Sequence, residues 1–208
     1  MNRQSMIRLS KYKSTLQRLK TMGFVKVFSD NLADALGIKS TQVRKDFSYF
    51  KISGNKRGGY HIDELLTHIL KILGKTTLQK VILAGLGNIG TALLNYKGFV
   101  REGIKIVAAF DIDPAKTGKT GPEDSILVHP MEMLAEFIRD NGIEVGIIAV
   151  PEIAAQRVLD LMAGAGIRGV LNFAPLRLRG PEEMNITNVN LVQEIENLFC
   201  LVNAEKLE

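Results

Sequence analysis

The sequence predicts an α/β protein in which a basic, helical amino-terminal domain precedes a doubly wound parallel sheet and a final apolar helix. Three observations carry this. The run Gly85-Leu86-Gly87-Asn88-Ile89-Gly90 directly follows the apolar stretch Val81-Ile82-Leu83-Ala84. Apolar runs then alternate with helical patterns as far as residue 173, the rhythm of a parallel sheet. Finally, residues 1–80 hold 16 Lys/Arg against 5 Asp/Glu, whereas the rest of the 208 residues holds 11 against 17. A basic part fused to an acidic one points to a polyanionic partner for the first part alone.

In chain order, residues 5–22 read as an amphipathic helix with Ile7, Leu9, Tyr12, Leu16 and Leu19 as its apolar positions, ended by Gly23. Ser29 is expected to cap a short helix through Leu36. After the Gly37-Ile38 turn, Ser40 or Thr41 is expected to cap a second helix running to about Phe50. Two short helices joined by a glycine-containing turn are the helix-turn-helix pattern. Val43, Phe47 and Phe50 share one face of the second helix. Thr41, Gln42, Arg44, Lys45 and Ser48 share the other, and their side chains suit base edges and phosphates in a major groove. Lys51 to Tyr60, rich in glycine, suits a short hairpin whose tip, with Lys56 and Arg57, reaches phosphates or a minor groove, as in a winged helix. A helix from Ile62 to Leu73 follows, with His61 and His68 read as structural or solvated. Gly74-Lys75-Thr76-Thr77 marks a domain boundary.

The glycine run has Rossmann spacing. Its first glycine allows a tight turn, its second lets a pyrophosphate approach the backbone, and its third lets helix pack on strand. Asp111, 21 residues past Gly90 at the end of the run Ile106–Phe110, stands where an acid accepts hydrogen bonds from the adenosine ribose. Asp111-Ile112-Asp113 favours NAD over NADP, with Lys116 nearby. A helix from Pro130 to Asn141, a strand Val145–Val150, a helix Ile153–Ala165 and a strand Gly169–Phe173 complete the alternation. Ligands bind beyond the carboxyl ends of such strands, so Pro151 and Phe173 are placed to wall a nicotinamide, Phe173 being readable equally as core. After a strand-like run, Asn185 to Asn190, the last helix (Leu191 to Val202) presents Leu191, Ile195, Leu198, Phe199 and Val202. Such a face must be buried on its own domain or on a partner subunit.

Several classes are disfavoured. Cys200 is the single cysteine, which rules out an internal disulfide and a cysteine-based metal site; no metal is expected. No apolar stretch approaches the ~20 residues of a membrane helix, and Met1 to Lys20 lack the apolar core of a signal peptide; a cytoplasmic location is expected. A dehydrogenase needs a proton donor near the nicotinamide. His129, in an apparent loop, is the one histidine of the carboxyl-terminal half, and none of the four tyrosines has a lysine four residues on. The chain is therefore expected to hold a dinucleotide without turning it over. The alternatives are a small NAD-dependent oxidoreductase with a basic docking domain, and a related sheet that binds coenzyme A, against which Asp111 argues.

With these residues in hand, the chain resembles the Rex family of redox-sensing bacterial transcriptional repressors. The resemblance rests on Gln42-Val43-Arg44-Lys45-Asp46-Phe47-Ser48-Tyr49-Phe50, Lys56-Arg57-Gly58-Gly59-Tyr60, the run Gly85 to Gly90, and Leu171-Asn172-Phe173-Ala174-Pro175. It implies a homodimer with exchanged carboxyl-terminal helices that binds a palindromic operator in double-stranded DNA. It further implies that NADH closes the dimer and releases DNA, while NAD⁺ competes for the same site and leaves DNA binding possible. The expected domains are residues 1–76 (winged helix), 77–190 (Rossmann) and 191–208 (swapped helix). By the same resemblance Tyr96 belongs near the nicotinamide, and Arg8, Tyr96 and the position of Asn190 form an interdomain switch. Asn190-Leu191 departs from the family's acid followed by a bulky apolar residue, Ser10 from a proline, and Lys51-Ile52-Ser53 from a glycine-containing stretch. These departures bear on redox discrimination and operator preference.

Overall fold

The computed structural model describes residues 3–53, 58–74, 78–118 and 126–205, and the backbone alone at Arg3. The chain divides into two compact units, Met1–Thr77 and Leu78–Glu208.

The first unit is built on α1 (Arg3–Thr21), β1 (Lys26–Val27), α2 (Ser29–Leu36), α3 (Ser40–Tyr49), β2 (Tyr60–His61) and α4 (Ile62–Ile72). Leu9, Tyr12 and Leu16 of α1 pack with Leu32, Val43, Phe47, Ile62 and Ile69 in one core. Ile7 departs from its predicted face and is 43% exposed. Gly37 turns the chain between α2 and α3 at φ 63°, a left-handed conformation that costs glycine least. Neither expected serine cap forms. Asn31 Oδ1 instead accepts the Phe28 amide at 3.0 Å to secure the start of α2, and Ser40 is already helical in α3. The expected hairpin differs too: residues 51–53 are not strand, and Tyr60 and His61 pair antiparallel with Val27 and Lys26. The tip of that loop, including Lys56 and Arg57, lies outside the described residues.

The second unit is a six-stranded, all-parallel sheet of β3 (Gln79–Ala84), β4 (Ile104–Asp111), β5 (Val128–Pro130), β6 (Val145–Ile148), β7 (Gly169–Asn172) and β8 (Asn185–Asn188), in the order β5-β4-β3-β6-β7-β8. This is the doubly wound nucleotide-binding order, and the strand sequence reverses between β3 and β6. Alternate residues of β3 serve opposite cores. Ile82 and Ala84 meet Leu134, Ile138, Leu159 and Met162 of α7 (Leu134–Asn141) and α8 (Glu152–Ala165). Val81 and Leu83 meet Leu93 of α5 (Asn88–Leu94) and Phe99 of α6 (Gly98–Arg101). Burial on both faces is why the strand sequences read as unbroken apolar runs. Pro130 ends β5 rather than starting a helix, and a single 3₁₀ turn, Met131–Met133, leads into α7. The last helix, α9 (Leu191–Ala204), leaves seven large apolar residues exposed, Leu191, Val192, Ile195, Leu198, Phe199, Leu201 and Val202, each by 50% or more. No helix among the described residues is long and apolar enough to cross a membrane.

Candidate functional site

A cleft of about 890 Å³ opens at the carboxyl ends of the strands, where their order reverses. Its floor is the glycine turn. Gly85 has φ 93°, and a Cβ there would press within 2.6 Å of the Ala149 carbonyl oxygen on the loop after β6. A Cβ on Gly90 would run into the carbonyl oxygen of Gly85, so the helix seats on the turn only because position 90 has no side chain. Gly87 differs: its Cβ would meet no protein atom within 4 Å and would stand in the cleft itself. Bare backbone facing open space suits the approach of a phosphate group.

Asp111 closes the turn from the neighbouring strand. Its Oδ2 accepts the Leu86 amide at 2.7 Å, its Oδ1 accepts the Asp113 amide at 2.9 Å, and Lys116 Nζ stands 3.3 Å from Oδ2. Burial pushes its carboxyl up. The amides of Asp113 and Leu86 and the nearby Lys116 outweigh this and hold it below the ordinary carboxylate range. A carboxylate offers about four lone-pair sites, and with three donors in place acceptor capacity remains for a ribose hydroxyl. Pro151, Phe173 and Pro175 wall one part of the cleft, and Ile112, Met131, Val158 and Leu161 supply apolar lining. Asn172, fully buried, holds the wall in place: its Nδ2 donates to the carbonyls of Ala174 (3.2 Å) and Leu176 (2.8 Å), and its Oδ1 accepts the Ala174 amide.

The first unit carries a different surface. On α3, Val43 and Phe47 are buried, while Thr41, Arg44, Lys45 and Ser48 are exposed. Arg44 donates to Ser40 Oγ at 3.0 Å and stands 3.9 Å from Asp30. Beneath this surface lies an acid, Asp46, only 2% exposed. Arg8 holds it bidentately, Nε to Oδ2 at 2.6 Å and Nη2 to Oδ1 at 2.7 Å, and Tyr12 OH donates to Oδ2 at 2.8 Å. Burial pushes the Asp46 carboxyl up, but the donors Arg8, Tyr12 and Gln42 more than offset it and leave it lowered. The Tyr12 hydroxyl, desolvated and donating to that carboxylate, is pushed well above its ordinary value.

A family model described as "CoA binding domain" matches residues 76–176, and one described as "Putative DNA-binding protein N-terminus" matches residues 3–48. A "Redox-sensing transcriptional repressor Rex" of Carboxydothermus hydrogenoformans is 42% identical over 191 residues, covering 92% of this chain and 91% of that protein. One of the same name from Lactobacillus acidophilus is 39% identical over 199 residues, covering 96% and 93%. The chain belongs to the Rex family. Among solved structures it is similar to the repressor RSP in complex with beta-NAD+ and operator DNA, at 30% identity and a TM-score of 0.90, over 100% of this chain and 94% of that one. RSP in complex with beta-NADH matches at a TM-score of 0.84, over 100% and 96%.

In this Rex-family chain seven of the residues singled out for the dinucleotide line the cleft: Gly85, Gly87, Asn88, Ile89, Asp111, Pro151 and Phe173. Leu86 and Gly90 do not line it. Leu86 turns its side chain into the core and gives its amide to Asp111, and Gly90 is buried against the turn. Tyr96 is not brought to the cleft of its own chain; its exposed ring packs edge-on against Phe99 beside a separate small pocket. Asn190 caps α9, its Oδ1 accepting the Gln193 amide at 3.1 Å, a role an uncharged side chain fills well. His129, expected in a loop, sits in β5 with its ring stacked on Phe110 and tilted against Phe137, and burial lowers its pKa. Asp46 was missed, although its spacing from Val43 and Phe47 puts it on the apolar side of α3. A charged residue at such a position signals a buried partner, here Arg8.

Proposed function

We propose that this chain is a DNA-binding transcriptional repressor that reads the balance of NADH and NAD⁺ and releases its operator when NADH is bound. The observation that carries this is the pairing, in one Rex-family chain, of the Asp111 cleft with the exposed polar and cationic face of α3. Asp111 takes the ribose hydroxyls, the backbone at Gly87–Ile89 takes the pyrophosphate, and Pro151 and Phe173 flank the nicotinamide. Asp111 and Asp113 together repel a 2′-phosphate, so NAD(H) is favoured over NADP(H). Thr41, Gln42, Arg44, Lys45 and Ser48 enter the major groove of double-stranded DNA, and Lys56 and Arg57 add phosphate contacts. The protein is a homodimer in the cytoplasm, with the exposed face of α9 buried on the partner subunit and Tyr96 and Asn190 placed near the junction. Its domains are residues 1–76, 77–190 and 191–208. Arg8 acts through α3, given its hold on Asp46. The relatives are repressors, and the chain is a regulator rather than an enzyme.

The mechanism is a population shift. NADH moves the dimer between DNA-binding and released forms only by its preference for one of them, and near-complete switching needs about 5.5 kcal/mol in total. The test is fluorescence anisotropy on a labelled palindromic operator of the family type, titrated separately with NADH and NAD⁺ at fixed salt. Release by NADH well below the concentration at which NAD⁺ has any effect is expected. Tight binding indifferent to both would remove redox sensing and leave a DNA reader.

A further inference from the structure

We infer that Asp46 is a positioning residue for base reading: it holds Gln42 by its amide nitrogen, and Gln42 so held reads an adenine in the major groove. This rests on the assignment of α3 as the recognition helix. Gln42 lies one helical turn before Asp46 and donates from Nε2 to Asp46 Oδ1 at 3.1 Å. Two further donors converge on Oδ1, Ser5 Oγ at 3.2 Å and Arg8 Nη2 at 2.7 Å, while Arg8 Nε and Tyr12 OH take Oδ2. Each of these groups is a donor, as an ionised acceptor requires.

That chemistry fixes the Gln42 amide. A carboxylate cannot accept from a carbonyl, so the nitrogen must face Asp46 and the carbonyl oxygen must face away, whatever ambiguity the amide alone would carry. The outward edge then offers one acceptor, Oε1, and one remaining N–H. Adenine presents the complement in the major groove, an N6 donor beside the N7 acceptor. Guanine presents two acceptors, O6 and N7, and would set its O6 against Oε1. Because one N–H is committed to Asp46, Gln42 cannot turn both toward guanine. Holding the long side chain in advance also removes rotamer freedom that binding would otherwise have to take away. Asp46 cannot swing aside to release it. It is buried and clamped from α1, and the next residue, Phe47, is wedged edge-on against Tyr12 with ring centroids 5.4 Å apart.

The experiment measures binding of the full-length chain to a series of family-type palindromic operators carrying every single-base-pair change, at fixed salt. The wild type is expected to prefer adenine at one position of each half-site by roughly 10-fold or more, the discrimination of a bidentate contact. 7-Deazaadenine at that position should weaken the wild type. Gln42→Leu should abolish both effects there and leave the preference at other positions intact. Asp46→Asn, which lets the pair hydrogen-bond in either orientation, should erode the adenine-over-guanine preference at the same position. If melting shows that Asp46→Asn does not fold, Gln42→Glu serves instead: two acids repel, and its acceptor-only edge should shift that position toward cytosine, the base with an N4 donor. A wild type that is sequence-specific while Gln42→Leu keeps every preference overturns this inference alone. So does an Asp46→Asn protein that weakens all operators by one common factor. A wild type that does not distinguish operator from scrambled DNA overturns it together with the repressor reading.

Discussion

Two glycines of one motif are expected to respond in opposite ways to the same methyl group. Gly87 has φ −73° and ψ −163°, extended backbone that alanine adopts without strain, and its Cβ would touch no protein atom within 4 Å. Gly87→Ala should therefore fold normally, with stability within about 1 kcal/mol of the wild type and shifted upward if at all, because alanine loses less chain entropy on folding. The methyl would occupy the space in front of the turn. A phosphate forced away from that backbone meets the misfit of an overpacked site, about 1–3 kcal/mol, or roughly 5- to 150-fold in the dissociation constant for NADH. At Gly90 the methyl collides with the Gly85 carbonyl inside the protein. Gly90→Ala should thus lose about 1–3 kcal/mol or more of folding stability itself. Thermal melting and titration calorimetry with NADH separate the two outcomes. Wild-type NADH affinity in a normally folded Gly87→Ala protein would refute the assignment of this turn as the phosphate seat. A Gly90→Ala protein that melts like the wild type would refute the packing argument.

Other outcomes follow from the same geometry. Asp111 is held below its unfolded carboxyl value, so it contributes stability that is present above about pH 4 and lost as pH falls through its lower folded value. Asp111→Asn should flatten part of that acid limb, read as urea midpoints between about pH 2 and 6, and should also weaken NADH binding. Arg44→Ala and Lys45→Ala should abolish specific operator binding with NADH affinity unchanged. Wherever one of these cations contacts a phosphate, the slope of log affinity against log salt should fall by about 1. Charging the α9 face with Leu198→Glu and Phe199→Glu should convert the dimer to a monomer in sedimentation, since each large apolar side chain contributes about 1.5–3 kcal/mol when fully buried. An unchanged dimer would place its interface elsewhere.

Much of the cleft at the strand ends was legible because its constraints are local. Gly85 and Gly90 are demanded by one turn, Gly87 leaves the space in front of it open, and Asp111 stands at the end of the next strand, so spacing along the chain is enough to find them. The helix-turn-helix was legible for the same reason, from Gly37 and the periodic Val43 and Phe47. The helix caps were misread because Ser29 and Ser40 are good caps by type, whereas cap geometry depends on where the preceding backbone enters; here Asn31 reaches back to Phe28 instead. Strand β5 escaped notice since three residues carry no periodicity. It exists because Ala109, Phe110 and Asp111 offer it an edge.

By itself, then, the sequence determined a tight glycine turn, an acid beside it and a helix with a cationic face, because each follows from the shape or charge of residues close together in the chain. Only the tertiary structure decided where long-range partners meet. Arg8 and Asp46 stand 38 residues apart, and only folding buries the acid and brings the guanidinium to it. Packing likewise turned the side chain of Leu86, a member of the glycine run, into the core and set the ring of Tyr96, placed near the nicotinamide by resemblance, beside a separate pocket of its own chain. The physical reason is common to all four. A charge or a large ring takes its role from what surrounds it in space, and those neighbours come from elements that the chain places far from it in sequence.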